Sequence, residues 1–291
     1  MKPAPFTYHR ARDLDGATRL LAELADAGGE PKVVAGGQSL VAMMNFRLAR
    51  PDHLVDISGL DGLRGIRPGV DGALRIGALT THHEVETAPD LGPGFAVLRD
   101  AMRWVGHFPI RTRGTVGGSL AHADATAEWC LLALLLDAVL VAQGPGGVRR
   151  IDARDFFHGY YTTALEPDEL LTEVVFPRPA PHAALTEYAQ RHGDFATVAA
   201  AVDLDVAPDG RTVRGGRVAL GGVAALPVRV PEAERVLAEG GPAGRDLFAA
   251  CASAAATAID PPNDANGSTD YRRGLTRTLV TRACEEAMPG A

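Results

Sequence analysis

Residues 32–48 read KVVAGGQSLVAMMNFRL. A β-branched run, Lys32 to Ala35, meets Gly36-Gly37, then Ser39. Leu40, Met43, Met44 and Leu48 follow at the i, i+3, i+4, i+8 spacing of one helix face. The stretch reads as a strand, a tight turn and the start of a helix. The first N–H groups of such a helix have no partner within it, and the positive end of its dipole points outward. Glycine lets that backbone approach a ligand closely. Ala35, Gly36, Gly37, Gln38, Ser39 and Leu40 therefore form a candidate anion cradle suited to a pyrophosphate. No GK[ST] follows and the glycines lack GxGxxG spacing, so a Walker loop is excluded and a Rossmann nicotinamide site disfavoured. Alone, the stretch fits an ordinary strand-to-helix turn with a serine cap better than it fits a ligand site.

Residues 113–136, RGTVGGSLAHADATAEWCLLALLL, repeat the arrangement. Thr115, Gly117, Gly118 and Ser119 make a second turn, with Arg111 and Arg113 just ahead of it. His122, Asp124 and Glu128 follow, polar groups able to bond ribose or ribityl hydroxyls; a long helix is expected from about Ala125 to Leu136. Two such turns in one chain point to a dinucleotide gripped between them.

The rest of the chain bounds what that ligand serves. With 291 residues, 46% of them hydrophobic, two or three domains are expected. A net charge of −7 and the lack of basic runs with interleaved aromatics argue against nucleic acid as a partner. No apolar run reaches the ~18 residues of a membrane span, and the N-terminal stretch lacks the apolar core of a secretory signal. Cys130, Cys251 and Cys284 stand far apart with no CxxC pair, so no disulfide framework, metal site or chain-borne iron–sulfur cluster is expected. A reducing cytoplasm is the expected compartment. No Ser/His/Asp or Cys/His set has a recognisable spacing, and no catalytic residue is assigned.

Periodicity gives an α+β chain in three parts. Residues 1–57 read as a small α/β unit, with a helix over 15–27 and strands at 32–35 and 53–57. Residues 58–177 read as a second unit. It has strands at 74–79, 138–142 and 170–176, and a helix expected from Pro93 to Val105. Thr81-His82-His83-Glu84 has the pattern of a capping box, which places the histidine pair on a surface cap. The proline cluster 177–181 is the boundary, and residues 182–291 read as a three-stranded antiparallel sheet followed by helices. Trp104 and Trp129 read as core, and Tyr160-Tyr161 as core or subunit interface.

AGGQSL, MNFRLARP and IRTRGTVGGSLAHADATAEW together resemble the FAD-binding medium subunit of the molybdenum hydroxylases. The carbon monoxide dehydrogenase medium subunit and the xanthine dehydrogenase FAD domain are the types they resemble. The resemblance continues through residues 156–177, 191–202 and the C-terminal tail. It implies a two-part FAD-binding fold of the vanillyl-alcohol oxidase type, followed by a flavoprotein C-terminal domain. It implies that residues 35–39 and 115–119 hold the FAD diphosphate, that Asp124 and Glu128 contact the cofactor, and that Leu171 lies near it. Arg191 and Asp194-Phe195 would stand beside the isoalloxazine. It further implies an electron-transfer role, with the iron–sulfur clusters on a small partner subunit and molybdopterin on a large one. A dimer of such heterotrimers is the assembly it admits. A stand-alone flavin oxidase acting directly on a small molecule stays open as the alternative.

Overall fold

The computed structural model describes residues 1–92 and 94–288. The chain opens with β1 (Thr7–Arg10), α1 (Leu14–Asp26), β2 (Pro31–Val34), α2 (Leu40–Asn45) and β3 (His53–Asp56). β3 lies between β1 and β2 and runs parallel to both. Asp13 caps α1 by accepting from the Gly16 amide at 2.7 Å. Ala17 and Leu21 of α1 pack with Val55 and Ile57, which sets this layer's core.

The second region holds β4 (Ile66–Pro68), β5 (Leu74–Gly77), α3 (His82–Glu86), α4 (Ala96–Asp100), α5 (Phe108–Arg111), α6 (Val116–His122) and α7 (Glu128–Leu135). It continues with β6 (Val139–Gly144), β7 (Gly147–Asp152), β8 (Phe157–Gly159), β9 (Thr162–Thr163) and β10 (Leu170–Phe176). Five of these strands form one antiparallel sheet in the order β4-β5-β10-β6-β7, while β8 and β9 make a separate hairpin.

The third region holds β11 (Ala183–Tyr188), β12 (Val198–Val206), β13 (Thr212–Gly221), β14 (Val228–Arg229), α8 (Pro231–Ala238), β15 (Gly241–Pro242), α9 (Arg245–Ala258) and α10 (Thr269–Ala287). Side chains alternate across a strand, and here the alternation decides the packing. Val198, Ala200 and Val202 face a core built with α8, α9 and α10. Ala199 and Ala201, with Ala219 of β13, face the opposite way and share a core with Trp129 and Leu132 of α7. The small alanines let α7 lie close on that sheet. This explains why α7 is apolar all round: every residue from Trp129 to Leu135 is buried, as expected of a helix packed on more than one side.

The differences from the sequence reading have local causes. Gly117 and Gly118 do not precede a helix; they form the first turn of α6, capped by Thr115, which accepts from the Gly118 amide at 3.1 Å. The next helix starts at Glu128 rather than Ala125, because Ala123 takes a left-handed conformation (φ 54°) that ends α6. The helix expected over 93–105 is α4 plus a short 3-10 turn at Ala101–Arg103, and Pro93 lies outside the described residues. The third sheet has five strands, since the two-residue β14 and β15 pair with β13. Segments that short carry no readable alternation, and the edge strand β1, with three of its four residues exposed, carries none either.

Candidate functional site

Residues 35–40, Thr115, Gly117, Gly118, Ser119, His122, Asp124, Glu128, Leu171, Asp194 and Phe195 all line one cleft of about 910 Å³, near the upper end of the ~300–1,000 Å³ range typical of cofactor sites, whereas Arg111 and Arg113 lie outside its lining. The first glycine turn, the second glycine turn with α6, the start of α7, β10 and the loop before β12 each contribute a wall. The two turns touch directly. A Cβ built on Gly36 would stand 2.1 Å from the Arg113 carbonyl oxygen and 2.9 Å from the Gly114 Cα. A Cβ on Gly117 would stand 2.5 Å from the Ala78 Cβ. These two glycines therefore serve close approach of backbone to backbone, and not of backbone to ligand as their position in the sequence suggests.

The turns also differ in what they leave open. Among the described residues, no group accepts a hydrogen bond from the backbone N–H of residues 36–40. Ser39 has helical dihedrals and makes no cap, so its hydroxyl is free as well. At the second turn the amides are already used. Val116 donates to the Thr80 carbonyl at 2.9 Å, Gly117 to Ala78 at 2.8 Å and Ser119 to Thr115 at 3.0 Å. The first turn thus keeps the five N–H groups that an anion cradle needs, on residues that all line the cleft. The second welds α6 onto the end of β5 and offers side chains, among them Ser119, His122 and, just beyond, Asp124.

Tyr161 completes this wall. Its ring stacks on His122 with centroids 4.8 Å apart, and its hydroxyl donates to Asp124 Oδ2 at 3.3 Å. It is more than half exposed, not core, and holds a left-handed backbone (φ 53°) that costs a non-glycine residue roughly 1–2 kcal/mol. Nothing local in GYYTT signals that conformation. Asp124 also fixes the turn into α7 by accepting from the Thr126 amide at 2.9 Å.

The histidine pair corrects the sequence reading. Thr81 and Glu84 do form the capping box. His82, however, is buried, lines the cleft and accepts from the Trp129 indole N–H through Nδ1 at 3.0 Å. Burial, with the Arg111 charge adding to it, brings His82 down to about 4, so it is neutral at pH 7. Leu171 and Phe195 bring apolar surface, Phe195 with 67% of its area exposed, while Arg191 lies outside the lining. Cys130, Cys251 and Cys284 are all buried, and among the described residues no group of three or more His, Cys, Asp or Glu is placed to hold a metal ion.

Two carboxyl groups hold their protons unusually tightly, Glu128 at the start of α7 and Glu187 on β11. Glu128 lines the cleft, and burial, with Asp124 adding, pushes it up to about 7. Glu187 of β11 is 7% exposed, and burial followed by the neighbouring Glu128 pushes it up to about 9. Between the ordinary value of 4.5 and about 9 the folded chain holds more protons at Glu187 than the unfolded chain does. Stability therefore falls as pH rises through that window. Glu187→Gln should flatten the fall in thermal melts of the cofactor-free protein and leave it about 1–3 kcal/mol more stable at the alkaline end. An unchanged pH profile would remove Glu187 as the cause.

A family model described as "FAD binding domain in molybdopterin dehydrogenase" matches residues 4–179, and one described as "CO dehydrogenase flavoprotein C-terminal domain" matches residues 183–287. The chain is 40% identical to the 6-hydroxypseudooxynicotine dehydrogenase complex subunit alpha of Paenarthrobacter nicotinovorans, over 99% of this chain and 96% of that one. It is 33% identical to the carbon monoxide dehydrogenase medium chain of Hydrogenophaga pseudoflava, over 99% and 98%. The crystal structure of quinoline 2-oxidoreductase from Pseudomonas putida 86 aligns with a TM-score of 0.92 at 36% identity, covering 100% of this chain and 99% of that one.

Proposed function

The chain belongs to the FAD-binding medium subunits of the molybdenum hydroxylases, and from that membership we propose that it passes electrons from a partner's iron–sulfur clusters to an external acceptor. FAD, when bound, supplies the redox chemistry; the protein supplies position and electrostatics. The observation that carries the reading is the set of five unpaired backbone N–H groups at residues 36–40, all lining the cleft beside the point where Gly36 meets Arg113. That cluster of open donors suits the two negative charges of a diphosphate. Ser119, His122, Asp124 and Glu128 continue the polar wall toward Asp194 and Phe195, where we place the isoalloxazine. Phe195 can stack on a ring there but has no hydroxyl to bond it. We read the first two regions as the two-part fold of the vanillyl-alcohol oxidase type.

The cysteines support the division of labour. Three buried thiols, of which only Cys251 and Cys284 are neighbours, fall short of the four thiolates an iron–sulfur cluster takes, which supports an electron source on other chains. We place those clusters on a small subunit and molybdopterin on a large one, in the cytoplasm. Among the described residues no helix is long and apolar enough to cross a membrane. The test is to load the purified chain with FAD and add candidate small-molecule substrates anaerobically. The flavin absorbance should persist with this chain alone and bleach only once cluster-bearing and molybdenum-bearing partners are added. Bleaching by a substrate without partners would instead make the chain a stand-alone oxidase.

A further inference from the structure

We propose that Glu128 and Glu187 form a proton-holding pair at the inner wall of the cleft, so that Glu128 meets the bound cofactor as a neutral carboxylic acid donating to an acceptor atom. The inference rests on reading the cleft as the FAD site, and concerns what the chain presents there.

Thr186 of β11 donates to the Leu279 carbonyl of α10 at 3.0 Å, so that side of β11 faces the C-terminal helices. Alternation turns Glu187 the opposite way, onto the face shared with α7, whose first residue is Glu128. Glu187 Oε2 is sealed from solvent and has no hydrogen-bond partner. Across the strand pair its neighbour is Ala199, which offers no polar group. The titratable groups lining the cleft with Glu128 are Asp124 ahead of α7, His122 at the end of α6, His82 of α3 bonded to the adjacent Trp129, Tyr161 from the β8–β9 hairpin, Asp194 from the loop before β12, and Glu30, Lys32, Glu166 and Glu169. Among the described residues no Lys, Arg or His comes within ion-pair distance of either carboxyl.

Glu187 is buried and Glu128, half-buried, faces the cleft; with no cation between them, ionising both carboxyl groups is unfavourable, because neither charge is compensated. The pair therefore retains at least one proton in the range where exposed glutamates have none. A carboxylate can only accept hydrogen bonds, whereas a carboxylic acid has an O–H to donate. An unpartnered buried acid is a cost that packing does not explain, and breaches of this kind are expected where a site serves a ligand. The acceptor it fits is a ring carbonyl or nitrogen of the flavin, or a ribityl oxygen.

Fluorescence titration of the cofactor-free protein with FAD between about pH 6 and pH 9 tests this, since that span covers the titration of both carboxyls. FAD affinity should fall about tenfold or more across the range as Glu128 loses its proton. Glu128→Gln cannot ionise and keeps a donor, so its affinity should be flat with pH. Glu187→Gln removes the second acid and donates to the Glu128 carboxylate, so the fall should begin at lower pH. Riboflavin binding should show the same dependence and ADP binding should not, because only the former carries the acceptor atoms. A wild-type affinity that is flat or rises with pH overturns the pair while leaving the FAD site intact. Failure of wild type to bind FAD at any pH overturns both.

Discussion

Gly36→Ala is expected to yield a protein that purifies without flavin. The added methyl would stand 2.1 Å from the Arg113 carbonyl oxygen and 2.8 Å from its carbon, both backbone atoms with no rotamer to escape into. The two turns must move apart, and the cradle formed by residues 36–40 loses its alignment with Ser119 and Asp124. Overpacking of this kind costs about 1–3 kcal/mol in stability. Misalignment of the diphosphate contacts should weaken FAD binding by roughly a hundredfold, equivalent to about 3 kcal/mol. Gly117→Val acts at the other turn, forcing α6 off Ala78, and should also abolish FAD retention. Gly146→Ala, in the β6–β7 turn with nothing within 4 Å of the new methyl, is the control. Flavin content from absorbance at constant protein concentration checks all three. Full occupancy in Gly36→Ala would show that the cleft does not depend on the contact between the turns.

Arg272→Met is expected to be the most destabilising single change in the third region. Arg272 is 4% exposed within α10. Its Nη1 donates to the Thr197 carbonyl at 2.5 Å and to the Gly222 carbonyl at 2.8 Å, and its Nη2 donates to Asp264 Oδ1 at 2.8 Å. One guanidinium thus ties the start of β12 to the end of β13, just behind the loop carrying Asp194 and Phe195. Removing it strands two carbonyls and frees that loop. The expected loss is about 3–5 kcal/mol, the range for breaking a buried charged network. Denaturant unfolding should read the loss, and FAD should dissociate faster from the folded fraction. Arg272→Lys should recover only part of it, since a compact ammonium cannot reproduce the forked geometry. A stability within ~1 kcal/mol of wild type would show that the contacts of Arg272 carry little net energy.

Much of the architecture was legible because it rests on local rules. The helical spacing of Leu40, Met43 and Met44 and the Thr81–Glu84 capping box each depend on residues within a few positions of one another. Elements with strong periodicity, such as α1 and β10, emerge close to the expected bounds. Both glycine turns are visible for the same reason, and the motifs around them carry the family resemblance. That resemblance supplied FAD, which spacing alone left as an unspecified dinucleotide.

Tertiary structure decided what those residues do. Gly36 and Gly117 look alike in sequence as ligand-facing glycines, yet each is required by a chain segment distant in sequence, Arg113 in one case and Ala78 in the other. The two turns have the same pattern, but only the first keeps its amides open. His82, Tyr161 and Glu187 had no local signature, because their burial, stacking and charge state come from Trp129, His122 and Glu128 in other elements. Sequence determined the elements and the kind of ligand, since periodicity, capping and motif are properties of neighbouring residues. The cleft, its open amides and its acidic wall were decided by the fold, since each is made of contacts between residues that only tertiary packing brings together.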